Sequence, residues 1–289
     1  MTGGLLHFEF LTISLPPEGS SRDCETPSFA LSYVWGPETD KVCIQIDGQD
    51  MHITRNLFSA LRSFRHELNQ LPIWVDAACI QQWPRVDQEK KGQLERIGDV
   101  YCHATRVLVY LGELDSQTDV AFGHIQRKGD LARWPNFDQC EDQQGKIAIR
   151  EALELMMNAV NGSLLHGPSI PTKHILELFN RPWFFRAWII QEVVLARNEP
   201  SSVIFACGET HRIQWEHLWG AYFILTAWLM REGRRVESAR GLPARLFHYG
   251  AFVRRVGTKQ MSFDPRVATT MGIQKNYLQR TLSPMKYVG

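Results

Sequence analysis

The sequence predicts an α/β fold, a mainly parallel sheet flanked by helices. Short apolar runs at 29–35, 73–75 and 107–111 each stop at a glycine or an aspartate, the profile of buried strands. Amphipathic helical patterns separate them, and strand–helix alternation at this spacing is the mark of a parallel sheet. Apolar residues make up 44% of the chain and charged residues 22%, which excludes a wholly disordered polymer.

The elements follow in order. Residues 5–14 alternate weakly and form a first strand, and Pro16–Pro27 is a Pro-, Gly- and Ser-rich loop. Phe29–Trp35 is a buried strand ended by Gly36-Pro37. Val42–Ile46 and Met51–Ile53 flank Asp47-Gly48, a pair that favours a two-residue hairpin turn. Thr54 caps a helix from Arg55 whose apolar stripe is Leu57, Phe58, Leu61, Phe64 and Leu68. Ile73-Trp74-Val75 is a brief strand that stops at Asp76. Asp87–His103 is a helix with acids in its first turn, where the macrodipole favours them. Val107–Leu111 is the next strand, closed by Gly112. Residues 113–145 read as a peripheral helix and loops, and 147–160 and 173–179 as helices. Trp183–Leu195 is strongly apolar, Val203–Ala206 is a strand, and Gln214–Met230 is a helix. No internal repeat is visible.

Residues 1–230 are assigned to the α/β domain. Residues 231–289 are a C-terminal extension, either packed on the domain or partly disordered. Seven arginines against two glutamates between Arg231 and Arg255 make it locally basic.

Composition narrows the function classes. Lys+Arg 32 against Asp+Glu 31 gives a net charge of +1, so no global electrostatic case exists for nucleic acid or an anionic membrane. No run of about 18 apolar residues offers a membrane span. The six cysteines lack any CxxC spacing, which leaves zinc and thioredoxin-type readings without support. With no secretory pattern at Met1–Leu11, the expectation is a cytoplasmic protein with free thiols. Nine tryptophans are the unusual feature, and six of them adjoin a Pro, Gly or charged residue rather than sitting in long apolar runs.

Three segments interrupt apolar runs with polar residues at abrupt turns: Ala30–Gly36 (ALSYVWG), Trp74–Gln82 (WVDAACIQQ) and Arg181–Ala196, which carries PWFFRAWIIQE. In that order, together with Asn56-Leu57, Ala60-Leu61 and the Val109–Gly112 strand end, they resemble the signature blocks of the fungal heterokaryon-incompatibility (HET) domain. The resemblance covers roughly residues 5–220. Ala78 and Gln81 stand where the family favours Ile and Asn, and Trp83-Pro84-Arg85 alters the loop that follows.

This resemblance implies a TIR/flavodoxin-like core with helical insertions and a helical C-terminal extension, and a role in non-self recognition and programmed cell death. HET domains resemble TIR domains, some of which cleave the nicotinamide–ribose bond of NAD⁺. Such cleavage passes through an oxocarbenium-like state that a carboxylate stabilises. Trp188 and Glu192 have the WxxxE spacing of the catalytic segment of NAD-cleaving TIR domains, which makes Glu192 the candidate catalytic carboxylate. Trp188 would wall a ring, Tyr33 and Trp35 would stack on the adenine or nicotinamide, and Arg181 and Arg186 would hold the diphosphate. Gly36, Asp76 and Gln191 complete the candidate substrate-binding set.

No metal and no bound cofactor are expected, NAD⁺ being a substrate. The expected partners are a nucleotide and either a second copy or a receptor protein. Two competing readings are a non-catalytic self-associating signalling module and the same fold recruited as an enzyme of another class. The bland reading of Glu192 is an ion-pair partner of Arg186. The discriminating observations are whether Tyr33, Trp35, Asp76, Arg186 and Glu192 converge on one cleft, and whether Glu192 is buried against an arginine.

Overall fold

The computed structural model describes residues 5–14, 27–69, 72–80, 97–129, 172–186, 188–196, 202–218, 220–222, 281–282 and 285–288. The expectations for Trp83-Pro84-Arg85, for the helix over 147–160 and for the basic stretch 231–255 lie outside the described residues.

The N-terminal part begins with β1 (His7–Phe10) and β2 (Ile13–Ser14), followed by β3 (Phe29–Ser32). A hairpin of β4 (Lys41–Ile46) and β5 (Gln49–Thr54) turns at Asp47 and Gly48, whose φ angles of 51° and 71° are those of the tight turn the Asp-Gly pair predicts. Thr54 accepts a hydrogen bond from the Leu57 amide at 3.4 Å and so starts α1 (Arg55–Ser63). Then come α2 (Arg65–Leu68), β6 (Ile73–Trp74), α3 (Asp76–Cys79), α4 (Ile97–His103) and β7 (Arg106–Tyr110). The remainder runs α5 (Ser116–Gly129), α6 (Thr172–Phe179), a 3₁₀ turn (Pro182–Phe185), α7 (Ile189–Val194), β8 (Val203–Cys207), β9 (His211–Gln214), β10 (Thr281–Leu282) and β11 (Met285–Tyr287).

The main sheet has nine strands in the order β5-β4-β1-β11-β6-β3-β7-β8-β9, and β2 pairs with β10 separately. Its centre, β6-β3-β7-β8, is parallel throughout. Strands β3 and β7 are buried on both faces. Phe29, Leu31, Tyr33, Leu108 and Tyr110 pack with α1 residues Leu57, Ala60 and Leu61 on one side, and Ala30, Val107 and Val109 pack with Val100, Phe122, Trp183 and Val193 on the other. Double-sided burial explains why these strands read as continuous apolar runs rather than alternations.

The α/β class is as expected, but the sheet is mixed rather than mainly parallel. Among the described pairings of the main sheet, four are parallel and four antiparallel. Hairpin additions at both edges and β11 in the middle supply the antiparallel pairs. The helix expected over 214–230 opens one residue late, its described part being helical at 215–218 and 220–222, and it is preceded by β9, a strand that ends at Gln214. His211-Arg212-Ile213-Gln214 contains a single apolar residue, and its pairing with β8 follows from the turn at Gly208 (φ 58°) rather than from periodicity.

Strand β11 lies antiparallel to both neighbours, β1 and β6. Its Tyr287 ring meets Phe8 edge-on at 5.5 Å and lies under the Arg65 guanidinium at 5.3 Å. The Tyr287 hydroxyl is buried with no hydrogen-bond partner among the described residues. Because an unmatched buried hydroxyl is unfavourable, Tyr287→Phe is expected to keep the ring contacts and raise stability by about 1 kcal/mol. Urea unfolding would show a higher midpoint at unchanged slope.

Candidate functional site

Strand β3 sits between β6 and β7, so the chain leaves β3 toward one side of the sheet and β7 toward the other. Such a reversal opens a crevice outside the carboxyl ends of the strands, where ligands of doubly wound sheets bind. The polar residues of the signature blocks collect at this end.

Ser32, the last residue of β3, is buried within an apolar strand and therefore needs partners. It accepts a hydrogen bond from the Trp183 indole N–H at 2.7 Å and donates to the Glu192 carboxylate. Arg186 closes the arrangement with two bonds of 3.0 Å, Nη1 to Oε2 and Nη2 to Oε1 of Glu192. Glu192 is only 3% exposed. Burial pushes its carboxyl up from the ordinary glutamate value, against the opposing pull of Arg186 and Ser32. This carboxylate thus faces an arginine and a serine, and the guanidinium is the member of the pair that reaches toward solvent.

Asp76 stands in front of this pair. It opens α3 directly after β6, is partly exposed, and accepts a hydrogen bond from the Ala77 amide at 2.7 Å through Oδ1. Its Oδ2 accepts from the Trp35 indole N–H at 2.7 Å. Tyr33 is buried and hydrogen-bonds Asp76, and burial followed by the Asp76 charge holds its hydroxyl well above the ordinary tyrosine value. Tyr101 hydrogen-bonds the Leu31 carbonyl at 3.0 Å, and its hydroxyl is also raised, by burial and then by the Glu192 and Asp76 charges. Tyr33, Trp35, Asp76, Arg186 and Glu192 therefore converge, as a half-exposed outer layer (Trp35, Asp76, Arg186) over a buried inner one.

The other candidates stand apart. Arg181 lies at the end of β7, where it bonds Asp115 at 2.5 Å and Thr118 at 3.1 Å. A side chain on Gly112 (φ 112°) would meet this guanidinium at 2.9 Å, so the glycine makes room for it. Gly36 (φ 75°) packs on Asn56 of α1, where an added Cβ would stand 3.1 Å from Asn56 Cβ. It serves the turn after Trp35. Trp188 is 49% exposed and faces outward, while Glu192, four residues on, faces inward. Gln191 lies on α7, and its side chain lies outside the described residues.

Asp115 is more than a partner of Arg181. Its Oδ1 accepts the amides of Gln117 (3.0 Å) and Thr118 (2.8 Å), which caps α5. These bonds, led by that from Thr118, hold its carboxyl below the ordinary aspartate value of 3.8. A depressed folded value means stability that is present above pH 3.8 and lost as pH falls through the lower folded value. Asp115→Asn retains a cap acceptor without the charge, so its acid unfolding profile is expected to be flatter than that of the wild type below that pH, as read by circular dichroism.

Ser32, Trp183 and Tyr101 were not among the sequence candidates for the site. Ser32 was detectable as the one polar residue inside a buried strand. The donor role of Trp183 was not, since its ring packs in the core against Phe184 and Phe205 as its neighbours predict.

A profile of the family described as heterokaryon incompatibility protein (HET) matches residues 29–192, more than half of the chain. The chain belongs to the HET family. The match begins at the first residue of β3 and ends at Glu192, and so encloses the converging cluster. A curated relative, "Heterokaryon incompatibility protein 6, OR allele" of Neurospora crassa, is 29% identical over 212 residues, covering 63% of this chain and 29% of the relative. The chain thus spans under a third of the length of that HET protein. No solved structure matches. Among the described residues no helix is long and apolar enough to cross a membrane.

Proposed function

We propose that this HET domain acts in fungal non-self recognition as a trigger of cell death, and that it does so by cleaving the nicotinamide–ribose bond of NAD⁺ in the crevice at the end of β3 and β6. The observation that carries this reading is the accessible Asp76 carboxylate, aimed by the Trp35 indole beside the Arg186 guanidinium. In this reading the Trp35 ring, 39% exposed, stacks on a base, and Arg186 receives a phosphate. The bond from C1′ to the nicotinamide nitrogen breaks with its electron pair leaving on the ring, which departs neutral and needs no general acid. Water adds to C1′ and releases its proton.

The developing positive charge on the ribose calls for a carboxylate in contact with the ligand. The resemblance to TIR enzymes assigns this to Glu192. Because Glu192 is buried and paired with Arg186, whereas Asp76 is partly exposed, the proposal gives the ligand-facing role to Asp76. Glu192 becomes a positioning residue that sets the Arg186 fork. Incubating the chain with NAD⁺ at high protein concentration is expected to release nicotinamide and ADP-ribose. An absence of products at every concentration tested would overturn the catalytic reading.

A second reading, a self-associating signalling module without catalysis, draws on the exposed rings of Trp35, Phe185 (53%) and Trp188 (49%), side chains more usual at protein interfaces than on free surfaces. Concentration-dependent sedimentation combined with no NAD⁺ turnover would favour it.

A further inference from the structure

The sheet is held together at its middle by a strand that arrives last. Among the described residues the strand pairing between β1 and β6 runs through β11, so in the ladder the three-stranded β5-β4-β1 unit meets the parallel centre by way of Met285–Tyr287, while Phe8, Ile44 and Ile53 also pack with Phe29 and Ile73 in the core. In sequence, residues 223–280 separate β10 and β11 from the described segment that precedes them. On the β1 side the strand is well tied, with Phe8, Glu9 and Phe10 opposite Tyr287, Lys286 and Met285 and with the Val288 amide donating to the His7 carbonyl at 2.9 Å. Glu9 opposite Lys286 is a favourable charge pair.

On the β6 side the tie is narrow and close to the site. Met285 pairs with Ile73, three residues before Asp76. Fully buried Met285 also donates its backbone N–H to the Cys79 sulfur. Cys79 is the last residue of α3, the turn that Asp76 opens, and its sulfur accepts the Val75 amide at 3.3 Å as well. The Cys79 and Ile80 amides bond back to the Val75 and Asp76 carbonyls at 2.7 and 3.1 Å. Cys79 therefore joins β11 to both ends of the four-residue turn that carries Asp76. A helix this short has no stability of its own, so its geometry is imposed by what it packs on.

We propose that β11 is a positioning element for the site: seated between β1 and β6, it fixes the α3 turn through Met285 and Cys79 and thereby places Asp76 under Trp35. Unseating it leaves β3, β7 and β8 folded and releases the 73–80 segment, β6 included. The two events are one local opening, of lower free energy than global unfolding, as expected of a strand with few pairings. The effect on turnover rests on the proposed function, whereas the structural coupling does not.

Thiol labelling of the full chain, mapped by peptide mass spectrometry, separates the two. Cys79 is half-buried, its sulfur accepts the Val75 amide, and desolvation pushes its thiol up to about 12, so it labels more slowly while β11 is seated than when the strand is released. Cys207, on β8, is fully buried and reports global opening. In Met285→Asp, Cys79 labelling is expected to rise roughly tenfold or more with Cys207 unchanged, since a buried charge ejects the strand but leaves β7 and β8 intact. Equal acceleration of both cysteines, or no acceleration of Cys79 once the 285–288 amides exchange freely, overturns the proposal.

Native-state hydrogen exchange of the wild type needs no variant. The 285–288 and 75–80 amides are expected to share one opening free energy below that of the 107–110 amides. Separate openings, or opening only with 107–110, overturn it equally. If the wild type releases nicotinamide, Met285→Asp is expected to lower that rate in step with Cys79 exposure. If it releases none, labelling and exchange still decide the structural claim.

Discussion

Glu192→Ala is expected to lower the stability of the chain by about 3–5 kcal/mol, the usual consequence of removing one member of a buried, hydrogen-bonded ion pair. Three bonds end on this carboxylate, two from Arg186 and one from Ser32. Without it the guanidinium loses its hydrogen-bonded counter-charge and keeps only the more distant, partly exposed Asp76, and the Ser32 hydroxyl loses its acceptor inside the sheet. The cost comes chiefly from the charge left behind, so Arg186→Met in the same background should restore part of the loss. Glu192→Gln keeps an acceptor for each partner and should fall between wild type and alanine. Urea midpoints at constant slope would measure all of these. A loss below about 1 kcal/mol for Glu192→Ala would mean that the pair behaves like an exposed one, and Glu192 would regain its claim to face a ligand.

The fold class was readable because its strands are buried on both sides. Phe29–Leu31, Ile73-Trp74 and Val107–Val109 admit no polar interruption, and Asp47-Gly48 and Thr54 carry their own turn and cap chemistry. What escaped the sequence were elements specified by pairing alone. His211–Gln214 is too polar and Met285–Tyr287 too short to show a period, and each is a strand because a neighbouring strand accepts it. The same division holds at the site. Residue types at strand ends led to Tyr33, Trp35, Asp76, Arg186 and Glu192, which do converge. Their layering did not follow from spacing, because Trp188 and Glu192 sit four apart yet point in opposite directions once Trp183 docks in the core. Arg181 has the guanidinium that suits a diphosphate, but the Asp115 cap of α5 holds it at a neighbouring strand end.

On the proposed cleavage of NAD⁺, Asp76→Asn is expected to reduce nicotinamide release about 10²–10³-fold, the range seen when one preorganised electrostatic group is removed from a transition-state site. The substitution is nearly isosteric. Its carbonyl still accepts the Trp35 indole N–H, and Asp76 is already partly exposed, so unfolding should shift by well under the Glu192→Ala value. In the proposed reaction what is lost is the negative charge next to the ribose, which matters only as positive charge develops there. The effect should therefore appear in kcat, with KM little changed. Trp35→Ala removes both a stacking wall and the donor that aims Asp76, and should raise KM as well as lower kcat. Glu192→Gln gives the decisive contrast. If Glu192 acts by holding Arg186, its variant weakens binding and stability together and leaves a measurable kcat, whereas a ligand-facing Glu192 would lose kcat as fully as Asp76→Asn. Full turnover in Asp76→Asn would remove Asp76 from the chemistry and return the role to the buried carboxylate, which would then have to break from Arg186 before every reaction.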